Sequence, residues 1–144
     1  MGNYQNILVG VDGSEEAEKA LMKAIGIAVK CEGRLIIAHV IDTRAYASNE
    51  HYDHRFIEPL EEKAKELLQA CKEKAEQAGV ENVQTIIERG SPRAAMSKMI
   101  AAAYEADIVV AGATGQNAVE RLFLGSVSEA IARKAPCDVL IVRS

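Results

Sequence analysis

The sequence is short of cysteine, of long apolar runs, of basic excess and of the common phosphate-loop signatures, and each shortage narrows its chemistry. Cysteine occurs three times, at Cys31, Cys71 and Cys137. The count is odd, the spacing is wide and no C-x-x-C occurs, so the residues do not read as a disulfide framework. Each lies in or beside an apolar stretch and reads as a reduced thiol used as a small hydrophobe, which suits a reducing compartment. No apolar run approaches the roughly 18 residues that cross a bilayer. The start, Met1-Gly2-Asn3-Tyr4-Gln5-Asn6, has neither a basic n-region nor an apolar h-region, and Asn6 stands where N-myristoylation wants Ser or Thr. A cytoplasmic protein with no membrane partner is expected. Lys and Arg number 17 against 21 Asp and Glu, a formal charge of −4. That argues against a nucleic-acid partner, because such binding rests on counterion release at a basic surface. A small anion held by backbone amides stays open.

Signature motifs are missing too. There is no G-x-x-x-x-G-K-[ST] and no G-x-G-x-x-G after a strand, so the chain is neither a P-loop NTPase nor a dinucleotide binder of the fingerprint type. His51 and His54 form H-x-x-H beside Glu50 and Asp53, but without a second pair at zinc spacing they read as a solvated loop, and no metal held by protein side chains is expected. His39 lies inside an apolar run and reads as a satisfied core histidine rather than a base. Ser126 has no evident His partner, so nucleophilic catalysis lacks its base.

What is present reads as one ordinary globular domain, residues 1–144, with 49% hydrophobic and 26% charged residues. A chain of this length buries roughly 68–70% of its unfolded surface. Short β-branched runs at Asn6 to Val11, Leu35 to Ile41, Val83 to Ile87, Asp107 to Ala111 and Asp138 to Val142 are nearly continuous rather than alternating, as in strands covered on both faces. Between them lie amphipathic stretches at helical spacing. The first carries Ala17, Ala20, Leu21, Ala24, Ile25, Ala28 and Val29, with Ser14 as N-cap and Gly33 past its end. The second carries Leu60, Ala64, Leu67, Leu68, Cys71, Ala75 and Ala78, and Gly79 closes it. The third starts at Ser91-Pro92 and turns Ala95, Met96, Met99, Ile100 and Ala103 to one face. A short fourth starts near Ser126. The β-α alternation predicts an α/β fold, a parallel sheet with right-handed crossovers and helices on both faces. Asp42 to Arg55 is polar and aperiodic and reads as a long loop.

In such sheets ligands sit beyond the carboxyl ends of the strands. After the fourth strand comes Gly112-Ala113-Thr114-Gly115, and after nine intervening residues Gly125-Ser126 opens a helix. Glycines admit close backbone approach to an anion, and a helix N-terminus supplies free N–H groups and a positive dipole end, so the set can cradle a phosphate. The alternative is a plain turn and an ordinary capped helix, and Ser126-Val127-Ser128-Glu129 fits a capping box that engages the Ser126 hydroxyl internally. Asp12-Gly13-Ser14 is either a plain turn or a carboxylate placed for a ribose hydroxyl. Val40 either offers backbone groups to a base edge or is a buried strand residue.

The spacing G-x-x-G, nine residues, G-S resembles the ATP-binding signature of the universal stress protein family. The likeness extends over essentially the whole chain: Asn6 to Ser14 (NILVGVDGS), His39-Val40-Ile41-Asp42, Glu88-Arg89-Gly90-Ser91-Pro92 and Leu124-Gly125-Ser126-Val127-Ser128 resemble family segments in order. The resemblance implies an open five-stranded parallel sheet of order 3-2-1-4-5, of the adenine-nucleotide α-hydrolase-like type. It implies ATP as ligand, with Mg²⁺, ribose at Asp12, adenine at the Val40 backbone, and ribose and phosphates at the glycine loop. The nucleotide-binding set is then Val11, Asp12, Val40, Gly112, Thr114, Gly115, Gly125, Ser126, Val127 and Ser128. It further implies a homodimer through Val139 to Val142, which would cover an apolar sheet edge. Ala113 and Thr114 stand where members often carry a basic residue, which implies one phosphate contact fewer, and Cys137-Asp138 replaces a frequent Cys-Pro. Neither a Ser-Gly-Gly-x-Asp-Ser loop nor a His-x-Gly-His motif occurs, so an adenylating enzyme of the wider group is not expected. The expected function is an ATP-binding, stress-linked regulatory module with little or no hydrolysis; the alternative is a dimeric interaction protein with an empty pocket.

Overall fold

The computed structural model describes residues 3–43, 54–113 and 124–143. Strands β1 (Asn6–Gly10), β2 (Arg34–Asp42), β3 (Val83–Gly90), β4 (Ile108–Gly112) and β5 (Asp138–Val142) form one parallel sheet in the order β3-β2-β1-β4-β5. Strand order reverses between β1 and β4, so the first and fourth strand ends lie side by side. Helices α1 (Glu15–Cys31) and α2 (His54–Ala78) cover one face. The other face carries α3, residues 92–103, and α4 (Ser126–Lys134).

Sequence alternation sorts the two cores. Ile7, Val9, Leu35, Ile37, Ile108 and Val110 point to the α1/α2 side. Leu8, Ile36, Ala38, Val109 and Ala111 point to the α3/α4 side. Both sets are buried, which is why the strands read as unbroken apolar runs.

Local signals set the helix limits. The Ser14 hydroxyl accepts the Ala17 N–H at 3.1 Å, with Glu15, Glu16 and Glu18 in the first turn. Gly79, at φ +109°, ends α2 as its spacing predicts. Gly33 does not end α1 in the expected way. The left-handed C-cap is Glu32, at φ 54°, and Gly33 is needed for space: a Cβ there would lie 2.5 Å from the Tyr4 carbonyl oxygen. Helix α2 begins at His54, two residues inside the stretch read as loop, and tolerates Pro59 near its start.

The third helix departs further. Ser91 caps it and Pro92 opens it as expected, but Ala95–Met99 forms a π-turn. The wider turn shifts the phase, so Met99 and Ala103 face solvent while Ser97 and Ala101 are buried. Met99 is 59% exposed, against the uniform apolar face that straight helical spacing predicts.

Candidate functional site

The site begins where β1 stops. Val11 donates its N–H to the Ala38 carbonyl at 2.9 Å, and its side chain is buried. Asp12 then leaves the sheet. One carboxylate oxygen accepts the Ser14 N–H at 2.9 Å, and Gly13 adopts φ +84°. This Asx turn is the plain-turn reading of Asp-Gly-Ser realised, and it fixes an exposed carboxylate at the strand end.

Strand β2 runs past its neighbour. Its pairing with β1 ends at Gly10↔Ala38, whereas its pairing with β3 continues to Asp42↔Gly90. In a parallel strand alternate residues turn their N–H and C=O to the same side. Ala38 faces β1, so Val40 also faces that side, where β1 has left. The half-buried Val40 therefore turns its backbone N–H and C=O to the side that β1 has left. Its side chain packs against the α3/α4 core, as does Met96. Met96 lies against Gly10, where a Cβ would come within 2.9 Å of the methionine Cε. Sequence reasoning missed Met96 as a wall of this corner; Gly10, the last residue of β1, was the available signal.

Gly112 ends β4. A Cβ on it would meet the Glu16 carbonyl oxygen at 2.8 Å, so this glycine lets the first turn of α1 close onto the strand end. That packing role is distinct from the anion approach expected of it. Beyond it, Ala113 accepts the Gly125 N–H at 2.7 Å, and the buried Ser128 hydroxyl donates to the Gly112 carbonyl. These bonds draw the two ends of the glycine loop together and seat α4 at the strand ends. Thr114 and Gly115 lie outside the described residues.

The start of α4 corrects the capping-box reading. Its N-cap is Gly125, in extended conformation and without a side-chain cap bond, and Ser126 is already the first helical residue. Ser126 is therefore out of place to cap with Glu129, and Glu129 instead pairs with Arg133 at 3.3 Å. Ser126 is exposed, Val127 packs toward the α3/α4 core, and Ser128 is occupied by Gly112. The amides of the first turn carry the positive end of the helix dipole. No three His, Cys, Asp or Glu side chains converge as a metal site among the described residues.

Away from the strand ends the fold shifts the acidity of several groups. The Tyr4 phenol, hydrogen-bonded to Asp138 at 2.8 Å, is raised chiefly by that bond. Burial, then neighbouring Glu18, raises the Cys71 thiol, and burial with Asp138 and Asp107 raises Cys137. Among the described residues no helix is long and apolar enough to cross a membrane.

Comparison with known proteins covers this whole arrangement. The sequence model of the universal stress protein family matches residues 3–143. A universal stress protein of Staphylococcus epidermidis is 51% identical over 144 residues, all of this chain and 87% of the relative. Among solved structures, universal stress protein UspA from Lactobacillus plantarum superposes with a TM-score of 0.88 at 29% identity, covering 99% of this chain and 100% of that one. A universal stress protein in complex with cAMP superposes with a TM-score of 0.74 at 29% identity, covering 99% and 98%.

Proposed function

This chain belongs to the universal stress protein family, and from that premise we propose that it binds an adenine nucleotide, ATP, at the β1/β4 crevice as a regulatory module. The observation that carries the reading is the closure of the glycine loop: Gly125 N–H to the Ala113 carbonyl and Ser128 to the Gly112 carbonyl set the uncapped start of α4 beside the strand ends. Its amides, with those of the loop that holds Thr114 and Gly115, would take the phosphates. Asp12 would accept from the ribose hydroxyls, and the Val40 backbone would meet the adenine edge. The structural neighbour in complex with cAMP supports an adenine ligand for the fold.

Mg²⁺ would arrive with the nucleotide and be held by phosphate oxygens and water, since such an ion keeps most of its waters and needs no all-protein cage. Asp12, the carboxylate described at these strand ends, is assigned to the ribose rather than to a water, so little or no hydrolysis is proposed. The free cysteines suit action in the cytoplasm. β5 is a sheet edge whose residues Val139 to Val142 are all half-exposed in one chain, which supports a homodimer formed across that strand.

The test is the nucleotide content of gently purified, then denatured protein, beside a Gly115→Ala/Gly125→Ala double variant. ATP released by the native chain and absent from the folded variant supports the reading. Should neither carry nucleotide, and neither ATP–Mg²⁺ nor cAMP raise the Tm as ligands of the folded state must, the site is empty and the interaction-protein alternative replaces it. Phosphate release at ordinary enzyme rates, lost in the double variant, would refute the non-catalytic part.

A further inference from the structure

The β1–β2 ladder ends in an unusual way. Its last rung is the Val11 N–H to the Ala38 carbonyl, at 2.9 Å. Continued parallel pairing would send the Val40 N–H to the Val11 carbonyl next. Among the described residues that rung does not form: pairing with β1 stops at Gly10↔Ala38. The Val11 carbonyl is taken instead by a side chain, His39 Nδ1, at 2.7 Å. A carbonyl oxygen only accepts, so Nδ1 carries the proton.

The pattern of the strands makes the substitution possible. His39 has the same parity as Ile37 and so projects to the α1/α2 side, where Val11 is also buried. Its own N–H and C=O turn toward β3, in register with Ile87. The ring therefore reaches across to β1 while the main chain of His39 stays in the other ladder. The Val11 peptide keeps a donor, as a nearly buried carbonyl requires, and the neighbouring Val40 amide is left out of the β1 ladder. It turns to the side from which β1 departs, and the same clamp holds the peptide that leads into Asp12.

We propose that His39 is a positioning residue of the nucleotide site, which replaces a backbone rung so that the Val40 main chain remains available to read the adenine edge. This inference rests on the nucleotide reading above and adds the device that gives the site its base selectivity. A backbone N–H next to a C=O matches the acceptor and donor of adenine N1 and N6, and opposes the donor and carbonyl of guanine.

The test measures ATP and GTP dissociation constants by calorimetry for the wild type, His39→Leu and His39→Asn. Leucine removes the donor, so the Val11 carbonyl recruits the Val40 amide and the base loses its partner. Asparagine places an N–H near the position of Nδ1. The expected result is a preference for ATP in the wild type that falls roughly tenfold in His39→Leu, the worth of one hydrogen bond, and returns in His39→Asn. Amide hydrogen exchange of nucleotide-free protein gives a second readout: the Val40 amide exchanges fast in the wild type and is slowed in His39→Leu. Equal weakening of ATP and GTP in His39→Leu, with an unchanged ratio, would mean that the ring only supports the fold and would overturn the inference while leaving the nucleotide site standing. A wild type that binds neither nucleotide removes the site itself, and the inference with it.

Discussion

Glycine at single positions does different work in this chain, and substitution separates the roles. Gly26 sits inside α1 with nothing within 4 Å of a built Cβ. Alanine there restricts the unfolded chain and improves helix propensity, so Gly26→Ala should stabilise by about 0.5–1 kcal/mol. Gly33 is crowded, with the Tyr4 carbonyl oxygen at 2.5 Å and Ile7 Cδ1 at 2.7 Å from such a Cβ. Gly33→Ala should destabilise by about 1–3 kcal/mol, because backbone must move. Thermal melts compare the two, at roughly 2–4 °C per kcal/mol for a chain of this size; shifts of the same sign would contradict the packing described. Cys71 gives a chemical readout at the same scale. The thiol is 4% exposed and its pKa is raised, first by burial and then by Glu18, with Lys74 opposing. A raised thiol pKa means that the fold disfavours the thiolate. Its contribution to stability is therefore intact below the ordinary thiol pKa and is lost as pH rises through the folded value. Iodoacetamide at mildly alkaline pH should label Cys71 quickly in urea and hardly at all in the native protein, as peptide mass mapping would show.

At the scale of elements, two helices make testable claims. In α3 the π-turn assigns opposite fates to two methionines that straight helical spacing treats alike. Met96 is buried against Gly10, and Met99 is exposed. Met96→Ala should cost about 2–5 kcal/mol, as core truncations do. Met99→Ala should stay within about 0.5 kcal/mol of wild type. Comparable losses at both positions in urea unfolding would show that the turn is an ordinary α-helix. In α1, Ser14 both caps the helix and donates its N–H to Asp12. Ser14→Ala should cost about 1 kcal/mol through the lost cap while sparing the Asx turn, which uses the backbone. The amino ends of the strands are fixed separately. Arg34 donates to Asn6, Gln84 and the Tyr104 carbonyl, at 3.1, 3.1 and 2.9 Å, and so ties three strands and the end of α3 together away from the site.

For the whole molecule the proposed dimer is the property to measure. β5 completes the sheet with one neighbour, β4, and Val139, Leu140, Ile141 and Val142 remain half-exposed. Light scattering should give the mass of two chains. Ile141→Lys places a charge on that edge and should give one chain with unchanged circular dichroism, since charged edges resist strand pairing. A wild type of one chain at high concentration rules the interface out.

Much of this architecture was legible in the sequence because its signals are local. Unbroken β-branched runs, helical stripes, Ser14, Ser91-Pro92 and Gly79 mark elements through steric and hydrogen-bonding preferences that act within a few residues. The alternation of elements then leaves little choice but a parallel sheet covered on both faces. The turn at Asp12-Gly13 and the end of β4 at Gly112 were legible for the same reason, whereas the roles given to Val40 and Gly125 came from the family resemblance and stand as proposals. What only the tertiary structure decided depends on neighbours distant in the chain. Gly112 and Gly33 are glycines because Glu16 and Tyr4 press on them, and no local pattern reports that pressure. Met99 faces water because one wide turn changes the phase of a helix whose residues alone fit a regular stripe. Ser126 is not the cap because the Gly125 amide is claimed by Ala113 across the glycine loop. His39 looks like any core histidine until the end of β1 brings the Val11 carbonyl within 2.7 Å of its ring. Sequence specifies the elements through short-range preferences, but the termini of neighbouring strands set which backbone groups fall outside the ladders, and those are fixed only when the sheet assembles.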